Sequence, residues 1–287
     1  MRGRYADEED MRRRRICIPS LAVAVLSLFL QEASFAQEGA PRGHAPTSTG
    51  PSLQVKRVRQ FIDMSVQNQQ GERLGKIADV MIDTVNGQIA YTAMDTGLLG
   101  PLLAVPWKAL EVAQDESTVI LRVAKEALQK APTFRRENGP ETIDPEWLAS
   151  VYSYYGYPPY PGLTEITVKH IRLVRATTLL GLNVRNPQRE DLGAIEDLII
   201  DVLEGHIAYV ILGTGGLLGI GKELRSVPWT AMTVEPIERV VVLRIEKEKL
   251  RNAPPLREDT WQETASRSWL AGIYAHYGAR PYWEEGQ

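Results

Sequence analysis

Four aspartates are the first residues to weigh for chemistry, because they come in two pairs at one spacing. Asp79 and Asp83 lie four residues apart, and so do Asp197 and Asp201. On a strand this spacing puts both carboxylates on one face, about 13 Å apart at roughly 3.3 Å per residue. A carboxylate pair for glycoside hydrolysis needs about 5–9.5 Å. The spacing therefore points to strand-end and turn carboxylates, paired with nearby Lys or Arg, rather than to an acid and a base. The four histidines are His44, His170, His206 and His276, and no two are spaced as metal ligands on one element. Surface or turn positions are expected for them. Gly215 to Gly221 reads GGLLGIG. It has the glycine content of a phosphate loop but lacks the Lys-Ser/Thr of a P-loop and does not open a helix. No Gly-x-Ser-x-Gly occurs, and no Ser-x-x-Lys comes with its supporting signatures. The expectation is no catalytic residue, no metal and no cofactor.

The elements that carry these residues occur twice. Leu74 to Tyr91 reads LGKIADVMIDTVNGQIAY and Leu192 to Tyr209 reads LGAIEDLIIDVLEGHIAY, with ten of eighteen positions identical at an offset of 118. Each stretch predicts a β-hairpin. Residues 76–83 and 194–201 are rich in Ile, Val, Leu and Met and contain no proline. Asn86-Gly87 and Glu204-Gly205 supply turns that tolerate positive φ. The returning strands, Gln88 to Met94 and His206 to Leu212, are apolar on both faces. Such strands are expected to be covered on both sides, as in a small closed barrel with something packed outside. Beyond the hairpin the match continues at an offset of 122, from Val105-Pro106-Trp107 against Val227-Pro228-Trp229 to Pro159-Tyr160 against Pro281-Tyr282. The whole unit is duplicated, tail included.

This pattern resembles the PRC-barrel family. The resemblance is carried by Leu74-Gly75-Lys-Ile-x-Asp79, Ile82-Asp83, Gly87-x-Ile-x-Tyr91 and Val105-Pro106-Trp107, and by their second copies. Repeat 2 also has the family's glycine loop, which repeat 1 shortens to Gly97-Leu-Leu-Gly100-Pro101. The resemblance implies a mainly β fold of two tandem small PRC-type barrels, each followed by short helices. Because the family spans unrelated roles, membership alone implies no reaction.

Within repeat 1 the first barrel is expected to start near Leu53, with a strand at Met64 and Val66 and a closing strand over Thr118 to Val123. A short helix over Lys125 to Lys130 stops before Pro132, and a polar loop runs from Thr133 to Thr142. Asp144-Pro145-Glu146 reads as a helix start, with Asp as cap and Pro at the first helical position. Trp147, Leu148, Val151, Tyr152 and Tyr155 then form one apolar face, as do Trp269, Leu270, Ile273, Tyr274 and Tyr277 in repeat 2. Each tail helix either packs on a barrel or offers a docking face, for which Trp147, Tyr152, Trp269 and Tyr274 are the candidates. Leu217, Leu218 and Ile220 are the candidates in the glycine loop, as an apolar tip that touches a partner or as leucines tucked onto the core.

Residues 1–36 read as a secretory signal peptide. Arg12 to Arg15 is its basic region, Leu21 to Leu30 its apolar core, and Ser34-Phe35-Ala36 the small residues before a cleavage site at Ala36. An uncleaved anchor in the inner membrane is the alternative. The only cysteine, Cys17, lies inside this segment, so thiol chemistry and disulfides are not expected of the mature chain. Residues 37–52 read as a disordered tether, 53–161 as repeat 1 and 162–287 as repeat 2. Without 1–36, which holds six arginines and five acidic residues, the totals of 33 basic and 36 acidic residues become 27 and 31. A net charge of −4 argues against a nucleic-acid partner. The expectation is a non-enzymatic binding or scaffold protein of the periplasm or exterior, with a protein partner or itself as partner and membrane contact only through an uncleaved signal. An exported enzyme with a cleft between the repeats is the alternative. A polar, convergent cleft would favour it, and an apolar, filled seam would count against it.

Overall fold

The computed structural model describes residues 53–97, 100–114, 116–136, 144–163, 172–215, 221–235, 238–257 and 266–284. Repeat 1 contributes strands β1 (Val55–Arg57), β2 (Ser65–Gln67), β3 (Arg73–Asp83), β4 (Ile89–Asp95), β5 (Leu102–Val105), β6 (Leu110–Val112), β7 (Thr118–Leu121) and β8 (Thr133–Phe134). Its helices are the single turn α1 (Val58–Phe61) and the tail helix α2 (Pro145–Tyr154). Repeat 2 repeats the order with β9 (Leu173–Arg175), α3 (Ala176–Leu179), β10 (Asn183–Arg185), β11 (Asp191–Asp201), β12 (His206–Thr214), β13 (Glu223–Val227), β14 (Met232–Glu235), β15 (Val240–Leu243), α4 (Lys247–Arg251) and α5 (Arg267–Tyr277).

The predicted hairpins are β3–β4 and β11–β12, both antiparallel and each bent by two register shifts. Such bulges add twist and help a sheet curl. In repeat 1 the order is β6-β7-β2-β3-β4-β5-β8, with β2 and β7 parallel. In repeat 2 it is β14-β15-β10-β11-β12-β13. One strand in each sheet comes from the other repeat. β1 pairs with β11 through Val55↔Asp201 and Arg57↔Ile199, and β9 pairs with β3 through Leu173↔Asp83 and Arg175↔Met81. The reason lies in strand length. The two long strands run for 11 residues, and β2 or β10 covers only their first part. The remainder would be an open edge, and the exchanged strand satisfies it. Pro106 and Pro228 end β5 and β13, after which Trp107 and Trp229 open short 3-10 turns.

One apolar cluster runs through both repeats, from Val66, Ile77 and Val119 to Ile195, Val210 and Val241. Two smaller clusters lie on the outer faces of the hairpins. Met81, Tyr91, Leu148 and Val151 meet under α2, and Ile199, Tyr209, Leu270 and Tyr274 meet under α5. The hairpin strands are apolar on both faces because barrel core lies on one side and a tail helix on the other. Each tail helix packs on its own repeat. Asp144 caps α2 by accepting from Glu146 N at 3.0 Å, as its sequence predicts, and Ser266 caps α5 through Trp269 N at 3.2 Å. The stretch read as a polar loop from Thr133 begins instead with β8, because Thr133 and Phe134 pair with Leu103 and Leu102 of β5.

Candidate functional site

The repeated residues converge on the seam between the repeats. Asp79 and Asp83 are 3 % exposed, Asp197 3 % and Asp201 1 %. Asp79 Oδ1 accepts from Val80 N at 2.9 Å and from Thr177 N at 3.2 Å, so a repeat 1 carboxylate caps the first turn of α3. Asp197 Oδ1 accepts from Leu198 N at 2.9 Å and from Arg59 N at 3.4 Å, capping α1 in return. Asp83 and Asp201 hold the hairpin turns. Asp83 accepts from Val85 N at 2.9 Å and from the Tyr160 hydroxyl at 3.1 Å. Asp201 accepts from Leu203 N at 3.1 Å and from the Tyr282 hydroxyl at 2.6 Å. Burial pushes the Asp83 and Asp197 carboxyls above the usual carboxylate range, against the pull of their backbone donors. Burial first, and the neighbouring aspartate second, raises the Tyr160 and Tyr282 hydroxyls. The aspartates are therefore mainly caps and hydroxyl acceptors. They sit at strand ends and turns, as their spacing predicts, but backbone N–H groups and tyrosines mostly serve them in place of the expected Lys or Arg.

The tryptophans of the Val-Pro-Trp motifs close the seam. Trp107 lies over Gly205, and a Cβ on that glycine would sit 2.5 Å from the indole. Trp229 lies over Gly87, where the distance would be 2.7 Å. Both glycines have positive φ, 68° at Gly205 and 79° at Gly87. Glycine is thus required twice over, by turn geometry and by the indole of the other repeat. Trp107 Nε1 donates to Val202 O at 3.0 Å, whereas Trp229 Nε1 has no hydrogen-bond partner among the described residues. Ile89 N donates to Gly205 O at 2.8 Å and Ile207 N to Gly87 O at 2.9 Å, which joins the two turns directly.

The docking-face expectation is corrected for the tail helices. Tyr152 and Tyr274 are 5 % and 1 % exposed and point inward, their hydroxyls donating to Ala90 O at 2.6 Å and Ala208 O at 3.1 Å. Trp147 and Trp269 are half-buried and meet Tyr91 and Tyr209 edge-on at 5.7 and 5.4 Å. These aromatic residues cover the sheet because they offer a large apolar body, with a polar tip that reaches a carbonyl. Leu217, Leu218 and Ile220 lie outside the described residues, as do residues 1–52, on which the expected signal peptide and tether fall. His206 is not a surface histidine. Its ring stacks on Tyr282 at 5.1 Å, and burial lowers its pKa to about 4 against the opposing pull of Asp201. His276 reaches Lys249 O at 3.1 Å from the last turn of α5. Among the described residues, no group of three or more His, Asp or Glu could hold a metal ion, and no helix is long and apolar enough to cross a membrane.

The PRC-barrel domain family matches residues 54–128 and 172–250, more than half of the chain. The chain belongs to the PRC-barrel family. Both matched PRC-barrel segments end before the tail helices and include β1 and β9, the strands that change places. PRC-barrel domains are generally non-catalytic modules. None of the curated proteins compared with the chain matches it.

Several features escaped the sequence reading. The exposed large apolar side chains among the described residues include Val85 at 62 % and Leu203 at 70 %, which are repeat counterparts in the two hairpin turns. The exchanged strands are only three residues each, too short to show a period. The contrast between Thr177 and Arg59 at one repeat position was visible at the offset of 118, but nothing marked that position before α1 and α3 were seen against the aspartates.

Proposed function

We propose that this chain is a non-enzymatic, exported binding or scaffold protein of the periplasm, built from two interlocked PRC-barrel modules, with a protein or a second copy of itself as partner. The observation that carries the reading is the use of the duplicated residues. The side chains most able to do acid–base chemistry cap backbone turns and bind tyrosine hydroxyls across or beside the seam. The seam also counts against the enzyme alternative, because one apolar cluster fills it. A groove of about 870 Å³ opens beside it between Gln54, Trp107 and Val202. Its glutamates are taken up in ion pairs, Glu116 with Lys56 at 3.6 Å and Glu111 with Arg122 at 2.6 Å. The signal-like residues 1–36 support export, and the acidic balance supports a partner other than nucleic acid.

In-cell crosslinking, followed by affinity capture of the tagged protein from the envelope fraction, tests the reading. A stoichiometric protein partner or a crosslinked homo-oligomer is expected. Capture of neither, together with turnover of an envelope substrate, overturns it. The glycine loop is tested by Leu217→Asp with Leu218→Asp. These changes are expected to abolish capture while leaving circular dichroism and thermal stability nearly unchanged. Unfolding would instead assign the leucines to the core.

A further inference from the structure

The two repeats differ sharply at one place beside β5 and β13. In repeat 2, Arg225 of β13 is 7 % exposed, and its guanidinium donates to Arg251 O at 3.2 Å and pairs with Glu223 at 2.6 Å. The repeat 1 counterparts of Arg225, Arg251 and Glu223 are Leu103, Gln129 and Pro101. Those three residues line a groove of about 780 Å³. The shorter, uncharged Leu103 does not reach across the space that the Arg225 side chain spans in repeat 2.

The groove has an apolar floor and a basic rim. Leu74, Leu103 and Leu128 form the floor, and Thr96 and Thr133 add hydroxyls. The charged residues of its wall are Arg73 and Lys125, and none of the lining residues is acidic. Both cations are exposed, and neither side chain has an ion pair or hydrogen bond among the described residues. Asp95, beside Thr96, is paired with Arg136 at 2.8 Å, and Glu72, beside Arg73, accepts from Asn68 Nδ2 at 2.5 Å. Glu126, next to Lys125, is exposed and outside the groove wall. In repeat 2 the position of Arg73 is held by Asp191, opposite in sign, whereas Lys125 is matched by Lys247.

We propose that this groove of repeat 1 binds a free medium-chain carboxylate, its alkyl chain along Leu74, Leu103 and Leu128 and its carboxylate toward Arg73 and Lys125. Small-molecule sites are of this size, mostly apolar with a few placed polar groups. A cation in the manner of Arg225 does not suit the groove, because Pro101 stands where Glu223 paired with it and both rim charges repel it. A small inorganic anion would leave the leucine floor wet, and a neutral hydrocarbon would leave the two cations unanswered. A membrane surface is held by clusters of about 4–8 basic residues, and the groove wall has Arg73 and Lys125 alone. The site is separate from the protein partner proposed above, so it can stand or fall without that reading.

The test is isothermal titration calorimetry on the full chain with octanoate, acetate and 1-octanol as probes. Octanoate is expected to bind saturably, with acetate and 1-octanol weaker by about fivefold or more, since one lacks the chain and the other the charge. Added salt is expected to weaken octanoate and to leave 1-octanol unchanged. Arg73→Asp places the residue type of repeat 2 on the rim. It is expected to weaken octanoate by about fivefold or more, with 1-octanol binding and circular dichroism unchanged. Pro101→Glu with Leu103→Arg restores the ion pair of repeat 2 and is expected to abolish binding of both octanoate and 1-octanol. If that double variant fails to fold, Arg73→Asp and the comparison of probes still decide. No saturable heat from octanoate at millimolar concentration overturns the proposal, as does equal affinity for octanoate and 1-octanol, or undiminished octanoate binding by Arg73→Asp. Co-flotation with phosphatidylglycerol vesicles that Arg73→Asp removes and octanoate does not compete would also overturn it, by assigning the basic rim to a membrane surface.

Discussion

The two repeats share a backbone and differ in how completely each is satisfied. At the aspartate cap, repeat 1 uses both carboxylate oxygens and repeat 2 uses one. At the tryptophan lock the imbalance runs through the same seam, since Trp107 donates to repeat 2 and Trp229 donates to no group among the described residues. On β5, Leu103 joins the apolar core, whereas its counterpart on β13 is Arg225, 7 % exposed and paired with Glu223. At the start of the returning strand, repeat 1 has Gln88 and repeat 2 has His206, and the two residues bridge each other across the seam. The lesson is a physical one. Duplication preserves whatever closes the fold, because both copies need the same turn, cap and exchanged strand. It leaves polar detail free to diverge, so a group that is satisfied in one copy can stand without a partner in the other.

The comparison breaks most sharply at the tryptophan lock. Trp107→Ala and Trp229→Ala each remove a nearly buried indole from a glycine turn of the other repeat, and each is expected to cost about 3–5 kcal/mol. Because each repeat is closed by a strand of the other, either change should lower one shared denaturation transition seen by both tryptophan fluorescence and circular dichroism. Two separated transitions, with only one of them moved, would show that the repeats unfold independently.

A smaller effect should appear on acidification. His206 has a folded pKa of about 4 against an ordinary 6.5. Between those values the unfolded chain binds the extra proton, so the stabilisation is full above pH 6.5 and is lost as pH falls through the window. The loss has an upper bound of roughly 3 kcal/mol. His206→Gln restores the residue found in repeat 1 and should remove this part of the pH dependence. Urea melts of both proteins from neutral pH down to pH 4 measure the difference. Parallel curves would assign the acid sensitivity to other groups.

The finest distinction is between the two indole N–H groups. Trp107→Phe loses the bond to Val202 O, and Trp229→Phe loses none. The first should therefore be more destabilising by about 1 kcal/mol. Equal losses in paired denaturant titrations would mean that packing alone secures the lock.

Much of this fold is legible along the chain. The hairpins are announced by branched apolar runs and by Asn86-Gly87 and Glu204-Gly205, and the tail helices by Asp144-Pro145 and an apolar face of helical spacing. Turn chemistry and periodicity act within a few residues, so a linear reading can reach them. The candidate site is less legible. Tyr152 and Tyr274 suit an interface or a core equally well by residue type, and only the carbonyls of Ala90 and Ala208 decide between them. Asp79 and Asp197 read alike, yet one meets a threonine and the other an arginine, each 98 or more residues away along the chain.

By itself the sequence determined the duplication, the β-hairpin at the centre of each repeat, the PRC-barrel resemblance and the helix caps, because these depend on local residue types and their spacing. Tertiary structure alone decided that β1 and β9 change places, that the duplicated aspartates Asp79 and Asp197 cap helices across the seam, and that Asp197 keeps one buried oxygen without a hydrogen-bond partner among the described residues. Those outcomes depend on which distant groups share an open strand edge or a buried carboxylate, and edge pairing and burial are properties of the folded chain.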